Sequence, residues 1–496
     1  MNVKLAPTDW LVIIVYFSAV VFVGFRAARK ARSHIDEYLV AGRGLTLPVF
    51  VATLVSTWYG GILGVGEFSY RYGISNWFIF GVPYYFFAII FAIFLAPRVH
   101  KAKLHTIPDK LRETYGDRTA NMGSFLTLFI VTPAPYVLMV GIIVEMLFGW
   151  SLAASVIFAT TVSVAYLYSG GLHSDVRTNS LEFILMYIGF GVILPFCYFN
   201  YGGLTFIQAH VPPGHLTLTG GNSWQYIIAW FFIASWTLVD PAFHQRCYAA
   251  RSGAVARYGI LLSIVFWLFF DFMTSFTGLY AKAIVPHLSQ PAMSYPALAE
   301  VVLPSFIKGL FYVGMLATIM SSLESLTFIS AVTIGKDIFF KMFRKHETEA
   351  DSSRKILKYS RVGIFLSALI SIGIALVIPS VIQIWYDLGT VFIPGLLIPL
   401  VTSYFPKLRV DRRFIFLSMT FGWSVSLLWL LSGIVANGTI NPEYLLGIQP
   451  MYPGLFLSFS FYVMGVINRV RGLSGVGEGI HPHSELHAEG DIDRPS

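Results

Sequence analysis

The sequence has few charged residues for its length, and this scarcity is the first constraint on its fold. Asp, Glu, Lys and Arg make up 12% of the 496 residues, whereas hydrophobic residues make up 56%. A soluble domain carries about 25% charged residues, because charge is what covers a surface in water. The composition therefore excludes an ordinary soluble protein and predicts a bundle of membrane-spanning helices, each of about 20 mostly apolar residues.

Cysteine and catalytic motifs are scarce as well. Cys197 and Cys247 lie in or at the end of apolar runs, so no disulfide framework is expected. The first apolar stretch, which starts near Trp10, has no small-residue cleavage site behind it and is expected to remain as the first span. The sequence shows no metal-ligand cluster, nucleophile–base pair or phosphate-binding loop, so an enzyme is not expected. The glycines at 60–66 follow no strand and form no nucleotide motif.

Apolar runs bounded by charges or by Gly and Pro predict thirteen transmembrane helices. They cover about 9–26, 47–70, 74–97, 119–148, 151–168, 179–200, 223–245, 255–283, 305–340, 358–379, 381–404, 412–435 and 450–468. A short amphipathic segment at 107–115 is expected at the inner interface. Residues 1–471 are predicted to form a single transporter domain, and residues 472–496 a disordered cytoplasmic tail.

The positive charges predict how the bundle is oriented. With the N-terminus outside, all but four of the 34 Lys and Arg fall in inside loops; the exceptions are Lys4, Arg71, Lys282 and Lys308. Cytoplasmic loops carry such an excess, so we expect a multi-pass protein of the plasma (inner) membrane with a cytoplasmic C-terminus. The same bias explains the net charge of +8. The lipid bilayer is thus the expected partner, nucleic acid is not, and no obligatory protein partner is evident.

Two of the predicted helices are interrupted. The second contains Gly60, Gly61, Gly64 and Gly66, and each glycine weakens a helix by about 1 kcal/mol relative to alanine. Either the helix is broken here, as in transporters that bind ions on free backbone groups, or the glycines permit close helix packing. The seventh helix carries Asp240 and a proline at 241, which removes a backbone hydrogen bond one turn earlier.

The ninth predicted helix has a hydroxyl-bearing face. Thr318, Ser321, Ser322 and Ser325 follow offsets of 0, 3, 4 and 7, which places them on one side of a helix. These hydroxyls either bond their own backbone one turn back or form a row of neutral oxygens for a hard cation. Several acids also fall in or near apolar runs, where charge is costly, and are functional candidates for that reason. They are Glu67, Glu145, Asp240, Asp271, Glu324 and Asp387.

Four local patterns occur in order along the chain. Residues 36–43 read DEYLVAGR, residues 170–172 read GGL and precede Thr178, residues 245–251 read QRCYAAR, and residues 337–339 read DIF. Each is weak alone. Together, and on the expected side of the membrane, they resemble the sodium/solute symporter family from about residue 9 to residue 470.

The resemblance implies a leucine-transporter-like fold, in which a five-plus-five inverted repeat follows one extra N-terminal helix. Repeat one would cover about 47–200 and repeat two about 223–404, so that the two interrupted helices open the repeats. It also implies a site for Na+, the co-transported ion, built from carbonyl groups and hydroxyls. The implied ligands are the carbonyls of Leu54, Thr57 and Thr318 and the hydroxyls of Ser321 and Ser322. This set is neutral, which suits sodium.

Departures from the family pattern bear on stoichiometry. Some members carry an aspartate directly after the threonine that follows GGL, associated with a second cation, whereas this chain has Asn179. We therefore expect one sodium ion per cycle, although Asp175 offers a carboxylate four residues earlier. The residues considered for coupling or gating are Glu67, Asp240, Arg246, Glu324 and Asn179.

The expected function is sodium-coupled import of a small polar solute by alternating access. An organic acid, an amino acid or a related metabolite is the default for the family, and Phe80, where sugar carriers have an acid, counts against a sugar. Candidate solute-binding residues are Trp58, Tyr59, Tyr136, Trp236, Trp385 and Tyr386. A proton-coupled carrier using Glu67 or Glu324, a membrane sensor on a transporter fold and a channel stay open as alternatives. The sequence does not identify the solute or the oligomeric state.

Overall fold

The computed structural model describes residues 4–28, 35–165, 167–341, 349–437 and 443–472. Within these ranges the chain is helical and contains no strand; an isolated parallel bridge joins Leu45 to Ala250. Beyond residue 472, the predicted tail lies outside the described residues.

The described residues of the first half of the chain form eleven α-helices. They are α1 (Pro7–Ala28), α2 (Ile35–Val40), α3 (Leu47–Trp58), α4 (Ile62–Tyr72), α5 (Val82–Ile90), α6 (Ala96–Ala102), α7 (Ile107–Tyr115), α8 (Asp117–Ile130), α9 (Ala134–Phe148), α10 (Leu152–Ala165) and α11 (Leu167–Tyr201). Two π-helical turns, Trp77–Gly81 and Phe91–Leu95, join α5 and α6 into one span from Trp77 to Ala102.

The second half forms a further eleven α-helices within the described ranges. They are α12 (Leu204–His210), α13 (Trp224–Ile233), α14 (Trp236–Val239), α15 (Pro241–Ala249), α16 (Gly253–Ile284), α17 (Ser294–Val302), α18 (Ile307–Val332), α19 (Glu349–Val377), α20 (Val381–Ser403), α21 (Arg412–Asn437) and α22 (Met451–Val470). A π-helical segment, Thr333–Phe340, prolongs α18.

The predicted membrane architecture is confirmed. Among the described residues, 11 helices are long and apolar enough to cross a membrane, or 12 when the bent pair α3–α4 is included. The short apolar helix at Leu152–Ser163 occupies the place of the remaining predicted span. Every predicted span thus coincides with a helix or a bent pair, and the number thirteen holds approximately.

The GGL segment differs from its prediction as a loop. It lies inside α11, which begins at Leu167 rather than near residue 179. The helix is kinked at Gly171, where φ is +55° and an added Cβ would lie 2.5 Å from the Tyr38 ring. Only glycine combines this left-handed backbone with so close an approach. The kink lets the polar residues after it continue into the membrane-spanning part of α11.

The second predicted helix is broken, as one of its two interpretations requires. α3 and α4 meet at an angle of 59° across Tyr59, Gly60 and Gly61. The other interpretation holds as well, because a Cβ on Gly60 would lie 1.9 Å from Ser322 Oγ and one on Gly61 would lie 1.9 Å from Trp385. The glycines both end α3 and admit α18 and α20 to the break.

The seventh predicted helix is divided at Asp240. This residue has an extended backbone (φ −67°, ψ 116°), and its Oδ1 accepts a hydrogen bond from the Ala242 amide at 2.6 Å. Asp240 is therefore the N-cap of α15, and Pro241 stands at the first helical position, where a missing N–H has no cost.

The hydroxyl-bearing helix lies at the centre of the bundle. Of the apolar window of the span Ile307–Phe340, 94% is buried, compared with 22% for Pro7–Ala27. α18 packs against α1, α3, α9, α11 and α19. Polar side chains on α18 are therefore enclosed by protein, and each must find its partner there.

Candidate functional site

The break after α3 faces the hydroxyl face of α18. Ser321 Oγ donates to the Ser56 carbonyl at 2.8 Å and also approaches the Thr318 carbonyl at 3.0 Å. Ser322 Oγ donates to the Thr57 carbonyl at 2.5 Å. Four of the five ligands implied by the family resemblance, those on Thr57, Thr318, Ser321 and Ser322, therefore meet in one place.

Leu54 stands differently from the other four. It lies one turn before the end of α3, where helical hydrogen bonding gives its carbonyl a donor at Trp58. The carbonyls of Ser56 and Thr57 belong to the last turn, whose acceptors have no partner within the helix. The free carbonyl closest in position to the implied Leu54 ligand is thus that of Ser56, and both serine hydroxyls of α18 approach it, at 2.8 and 3.5 Å.

A buried arginine lies on the other side of Thr57. Arg246 of α15 is 0% exposed; its Nη2 donates to Thr57 Oγ1 and to Ser325 Oγ, both at 2.8 Å, and pairs with Asp175 at 3.1 Å. Ser325 also donates to Asp175 at 2.5 Å. This group joins α3, α11, α15 and α18, and Ser325 lies one helical turn after Ser321 and Ser322 on α18.

Asn179 completes the arginine cluster. Its amide nitrogen donates to Thr57 Oγ1 at 3.1 Å and to Ser325 Oγ at 2.9 Å, and its buried Oδ1 has no hydrogen-bond partner in the structure. Asp175, which the sequence offered as a substitute carboxylate, is already engaged by Arg246 and Ser325. Arg246 was a candidate for coupling, but its position beside Asn179 depends on the packing of α15 against α3 and α18, which residue spacing does not show.

Two further buried acids lie beside this cluster. Glu324 accepts the Thr178 hydroxyl at 2.9 Å, and Glu182 accepts the Tyr16 hydroxyl at 2.9 Å. Both carboxyl groups are 0% exposed. Glu324 was a candidate for coupling. Glu182 was not predicted as a site residue, because it lies three residues after Asn179 and belongs to none of the four local patterns.

An aromatic cavity of about 130 Å³ lies beside Thr57. More than half of its lining residues are aromatic: Trp58, Tyr59, Phe80, Tyr84, Tyr85, Tyr136, Trp230, Trp236, Phe243 and Trp385. Pockets for drug-sized ligands measure about 300–1,000 Å³, so this cavity suits a small metabolite. Leu54, Thr57 and Gly61 also line it, which places it against the same break as the hydroxyl face of α18.

Two carboxyl groups face the aromatic cavity. Asp271 of α16 accepts hydrogen bonds from the hydroxyls of Tyr59 and Tyr85, one at each of its oxygens. Tyr59 also contacts Thr274 Oγ1 at 2.8 Å. The second carboxyl group is that of Asp240, the N-cap of α15. Both aspartates are largely buried, and both line the cavity.

Five of the six predicted solute-binding aromatics line this cavity, and the sixth does not. Tyr386 lies instead in a larger cavity of about 620 Å³, where its hydroxyl donates to Gln449 at 2.5 Å. Glu67 lines the same larger cavity and pairs with Arg71 at 3.0 Å. These residues lie on the side of the molecule that the charge pattern places outside.

The opposite side of the molecule is closed by polar contacts. Lys336 contacts Asp109 of α7 and Asp337, and Thr106 donates to Asp337 at 3.0 Å. Burial favours the neutral form of Asp109, but the adjacent Lys336 ammonium outweighs it and lowers the pKa of Asp109 to about 2. The pair therefore stays ionised at physiological pH. The cavity recorded on this side, next to His244, measures about 10 Å³.

Sequence reasoning missed about half of the aromatic lining. Tyr84 and Tyr85 belong to an aromatic run at 77–87, of which only Phe80 was considered, as an argument against a sugar. Trp230 comes from α13, and Phe243 from α15. The available signal was the density of aromatic residues next to each helix interruption.

Known proteins resemble most of the chain. The high-affinity choline transporter 1 of Drosophila melanogaster is 24% identical over 478 residues, with 89% of this chain and 72% of the relative covered. Sodium/glucose cotransporter 4 of Danio rerio is 24% identical over 428 residues, with 74% of this chain covered. The chain spans 62% of that cotransporter's length, less than two thirds. These relatives are transporters rather than enzymes, as expected.

The fold is similar to that of solved transporters. A Na+-coupled sialic acid symporter in a substrate-bound outward-open state superposes with a TM-score of 0.75 at 16% identity, covering 94% of this chain and 98% of the symporter. Mhp1, a nucleobase-cation-symport-1 family transporter, gives a TM-score of 0.59 at 13% identity, covering 88% and 95%. The predicted leucine-transporter-like inverted-repeat fold is confirmed by this likeness.

The family model of the sodium:solute symporter family matches residues 38–407. That range contains both interrupted helices, the hydroxyl face of α18 and the arginine cluster. The predictions of a solute transporter in a membrane and of Na+ as its coupled ion are confirmed at the level of the family. The chain belongs to the sodium:solute symporter family.

Proposed function

We propose that this protein imports a small solute together with sodium, and that the two cargoes bind on either side of the break after α3. The observation that carries the proposal is the position of Thr57. Its carbonyl accepts the Ser322 hydroxyl at 2.5 Å, while the same residue lines the aromatic cavity. An ion bound at the carbonyl therefore holds in place a residue that contacts the solute.

The sodium ion binds among neutral oxygens in this proposal. The serine hydroxyls now donate to the carbonyls of Ser56 and Thr57. When sodium enters, the hydroxyl hydrogens rotate away, and the serine and carbonyl oxygens point at the ion together. Sodium thereby replaces hydrogen bonds between α3 and α18 with coordination bonds. It favours whichever transporter state keeps the two helices at this separation, since an ion shifts an equilibrium only by its differential affinity.

One sodium ion per cycle follows from the arginine cluster. A second cation near Asn179 would need a carboxylate, and the neighbouring Asp175 already carries a salt bridge to Arg246 at 3.1 Å. The guanidinium also occupies the hydroxyls of Thr57 and Ser325. A fixed positive charge thus stands where a second ion would have to bind.

The proposed orientation puts the N-terminus outside and the C-terminus in the cytoplasm, in the plasma membrane. The distribution of Lys and Arg supports it, and so does the difference between the two ends of the molecule. A cavity of about 620 Å³ lies beside Arg71 on the proposed outer side. The proposed inner side is closed by α7 and the Lys336–Asp109 pair. This arrangement suits a transporter that receives its cargo from outside.

The solute is proposed to be a small molecule held by aromatic rings. The relatives are named for choline and glucose, and the structural neighbour for sialic acid, so family membership alone leaves the solute open. The Phe80 ring lines the cavity and packs edge-to-face on Trp230 at 4.4 Å. A sugar would need hydrogen-bonding groups at such positions, because its buried hydroxyls must be paired.

Sodium-dependent stabilisation of the purified full-length protein tests this function. In wild type, the thermal unfolding midpoint should be higher in sodium chloride than in potassium chloride, with choline left out of both buffers. A ligand that binds only the folded state stabilises it. The Ser321→Ala/Ser322→Ala double variant should lose this shift. Ser330→Ala, on the same buried helix but outside the site, is the matched control and should keep it.

Two outcomes would contradict the proposal. The first is an unchanged sodium-dependent shift in the double variant, which would remove the ion from this site. The second concerns proton coupling, the alternative that the buried, titratable Glu324 carboxyl supports. Solute uptake that is driven by a pH gradient in sodium-free liposomes, and that Glu324→Gln abolishes, would replace sodium by the proton as the coupled ion.

A further inference from the structure

We propose that the solute is a small organic cation bearing an N-methylated ammonium group, recognised by the aromatic cavity and its two aspartates. This inference rests on the proposed function, because it names the cargo of the solute site described above. It departs from the expectation of an organic acid or an amino acid. Three features of the cavity carry it: its aromatic walls, its charge and the engagement of three of its four carboxylate oxygens in hydrogen bonds.

The aromatic walls surround the cavity from several helices. Trp58 of α3 packs edge-to-face on Tyr84 at 5.0 Å and on Phe243 at 5.5 Å. Tyr136 of α9 and Trp385 of α20 approach each other at 6.4 Å and 60°. A cation within about 6 Å of a ring centroid is attracted by the electrons of the ring face. Methyl groups on nitrogen carry this positive charge on an apolar surface, which is what such walls accommodate.

The charge of the cavity is negative. In the described part of the chain, its lining contains Asp240 and Asp271 and no Lys, Arg or His. The nearby guanidinium of Arg246 is already paired with Asp175. Counted as carboxylates, the two lining aspartates contribute two negative charges. One sodium ion and one monovalent organic cation balance them, whereas an anionic solute would add to the excess.

The hydrogen-bonding capacity of the cavity argues for methylated rather than bare nitrogen. Each oxygen of Asp271 already accepts a tyrosine hydroxyl, and Asp240 Oδ1 accepts the Ala242 amide. A primary ammonium would bring three N–H donors into a buried site, and each would need an acceptor. An N-methylated ammonium asks only for apolar contact and a nearby negative charge.

A pair of probes with the same shape separates charge from shape. Choline and 3,3-dimethyl-1-butanol differ in having a nitrogen cation or a neutral carbon at the centre of the methyl groups. We expect choline to raise the unfolding midpoint of the full-length protein at saturating sodium, with an affinity at least about tenfold higher than that of the neutral isostere. D-glucose and succinate complete the panel and should give no shift.

The Asp271→Asn variant tests the role of charge. The amide keeps the shape of the side chain and an acceptor for one tyrosine, so the choline preference should fall at least about tenfold while binding of the neutral isostere stays unchanged. Asp387→Asn is the matched control. Asp387 is another buried acid, bonded to Gln383 at 2.6 Å, and it does not line the cavity. This variant should keep the full preference for choline.

The inference is overturned if the isostere matches choline, or if Asp271→Asn weakens both probes equally. It is also overturned if glucose or succinate stabilises the protein. The same holds if sodium stabilises the protein but none of the probes does. The last result leaves the sodium site standing, since sodium alone already produces its shift. Loss of the sodium shift itself is a failure of the proposed function and not of the solute assignment.

Discussion

We propose that the two sides of the break after α3 bind two different cations by different chemistry. On the α18 side, hydroxyl and carbonyl oxygens approach one another within 2.5–3.0 Å and carry no net charge. On the other side, aromatic rings and two aspartates surround a cavity of about 130 Å³. A small hard ion needs directed oxygens, whereas a larger cation with a spread charge needs apolar walls and a field. In this proposal one break in one helix serves both cations, because its residues have a carbonyl face and a side-chain face.

The largest effect should come from removing the fixed cation beneath the sodium side. Arg246→Met leaves the Asp175 carboxylate buried without its partner, which costs about 3–5 kcal/mol. We expect little folded protein from this variant, measured as the monodisperse fraction after purification and as the thermal unfolding midpoint. Combining it with Asp175→Asn should restore most of the folded protein, because no uncompensated charge remains.

The matched control for the buried Arg246–Asp175 salt bridge is a salt bridge with an exposed carboxylate. Arg112 pairs with Asp117 at 2.8 Å, and the Asp117 side chain is 81% exposed. Asp117→Asn should change stability by less than about 1 kcal/mol. If the Arg246→Met/Asp175→Asn protein is as unstable as Arg246→Met alone, the salt bridge is not what holds the cluster together.

Two adjacent glycines allow the two sides to be damaged separately. An added methyl group on Gly60 meets Ser322 Oγ, and one on Gly61 meets the Trp385 ring, each at 1.9 Å. Neither glycine has a positive φ, so the change acts through packing rather than backbone strain. Overpacking costs about 1–3 kcal/mol, which corresponds to roughly five- to 160-fold in affinity.

We therefore expect Gly60→Ala to weaken mainly sodium binding and Gly61→Ala to weaken mainly solute binding. The measurement is the sodium-dependent and the choline-dependent shift of the unfolding midpoint in each variant. Equal losses of both affinities in both variants would contradict the division of the break into an ion side and a solute side.

The smallest effect is expected from Asn179→Asp. An aspartate at this position can no longer donate to Thr57 and Ser325, which removes hydrogen bonds worth about 1 kcal/mol each. Sodium affinity should fall less than about tenfold, and uptake should still rise with sodium with a slope close to one, since Arg246 already supplies the positive charge. A sigmoidal dependence would show a second sodium ion and contradict the role given to the arginine.

The sequence grouped the proposed sodium ligands more completely than the lining of the proposed solute cavity, for a geometric reason. Ser321 and Ser322 lie on one face of one helix, so their spacing was enough to group them. The carbonyls depend on where α3 ends, and that end, at Trp58, makes Ser56 rather than Leu54 the free acceptor. Neither residue spacing nor a family resemblance can distinguish Leu54 from Ser56, two residues later, as the residue whose carbonyl is free.

The solute side is assembled from elements that are distant in the chain. Trp58, Trp230 and Asp271 come from three different helices, and only the packed bundle brings them to one cavity. Tyr386 carries the same aromatic signal as its neighbour Trp385, yet Tyr386 lines the larger cavity and Trp385 lines the aromatic cavity. Adjacent residues on a helix point about 100° apart, so membership in a site is decided by helix rotation, which the sequence does not show.

Equilibrium binding of radioactive sodium to the purified full-length protein tests the central claim most directly. The account predicts one saturable sodium ion per chain in wild type and in Ser330→Ala, and none at the same concentrations in Ser321→Ala/Ser322→Ala. Two sodium ions per wild-type chain, or undiminished binding in the double serine variant, would contradict it.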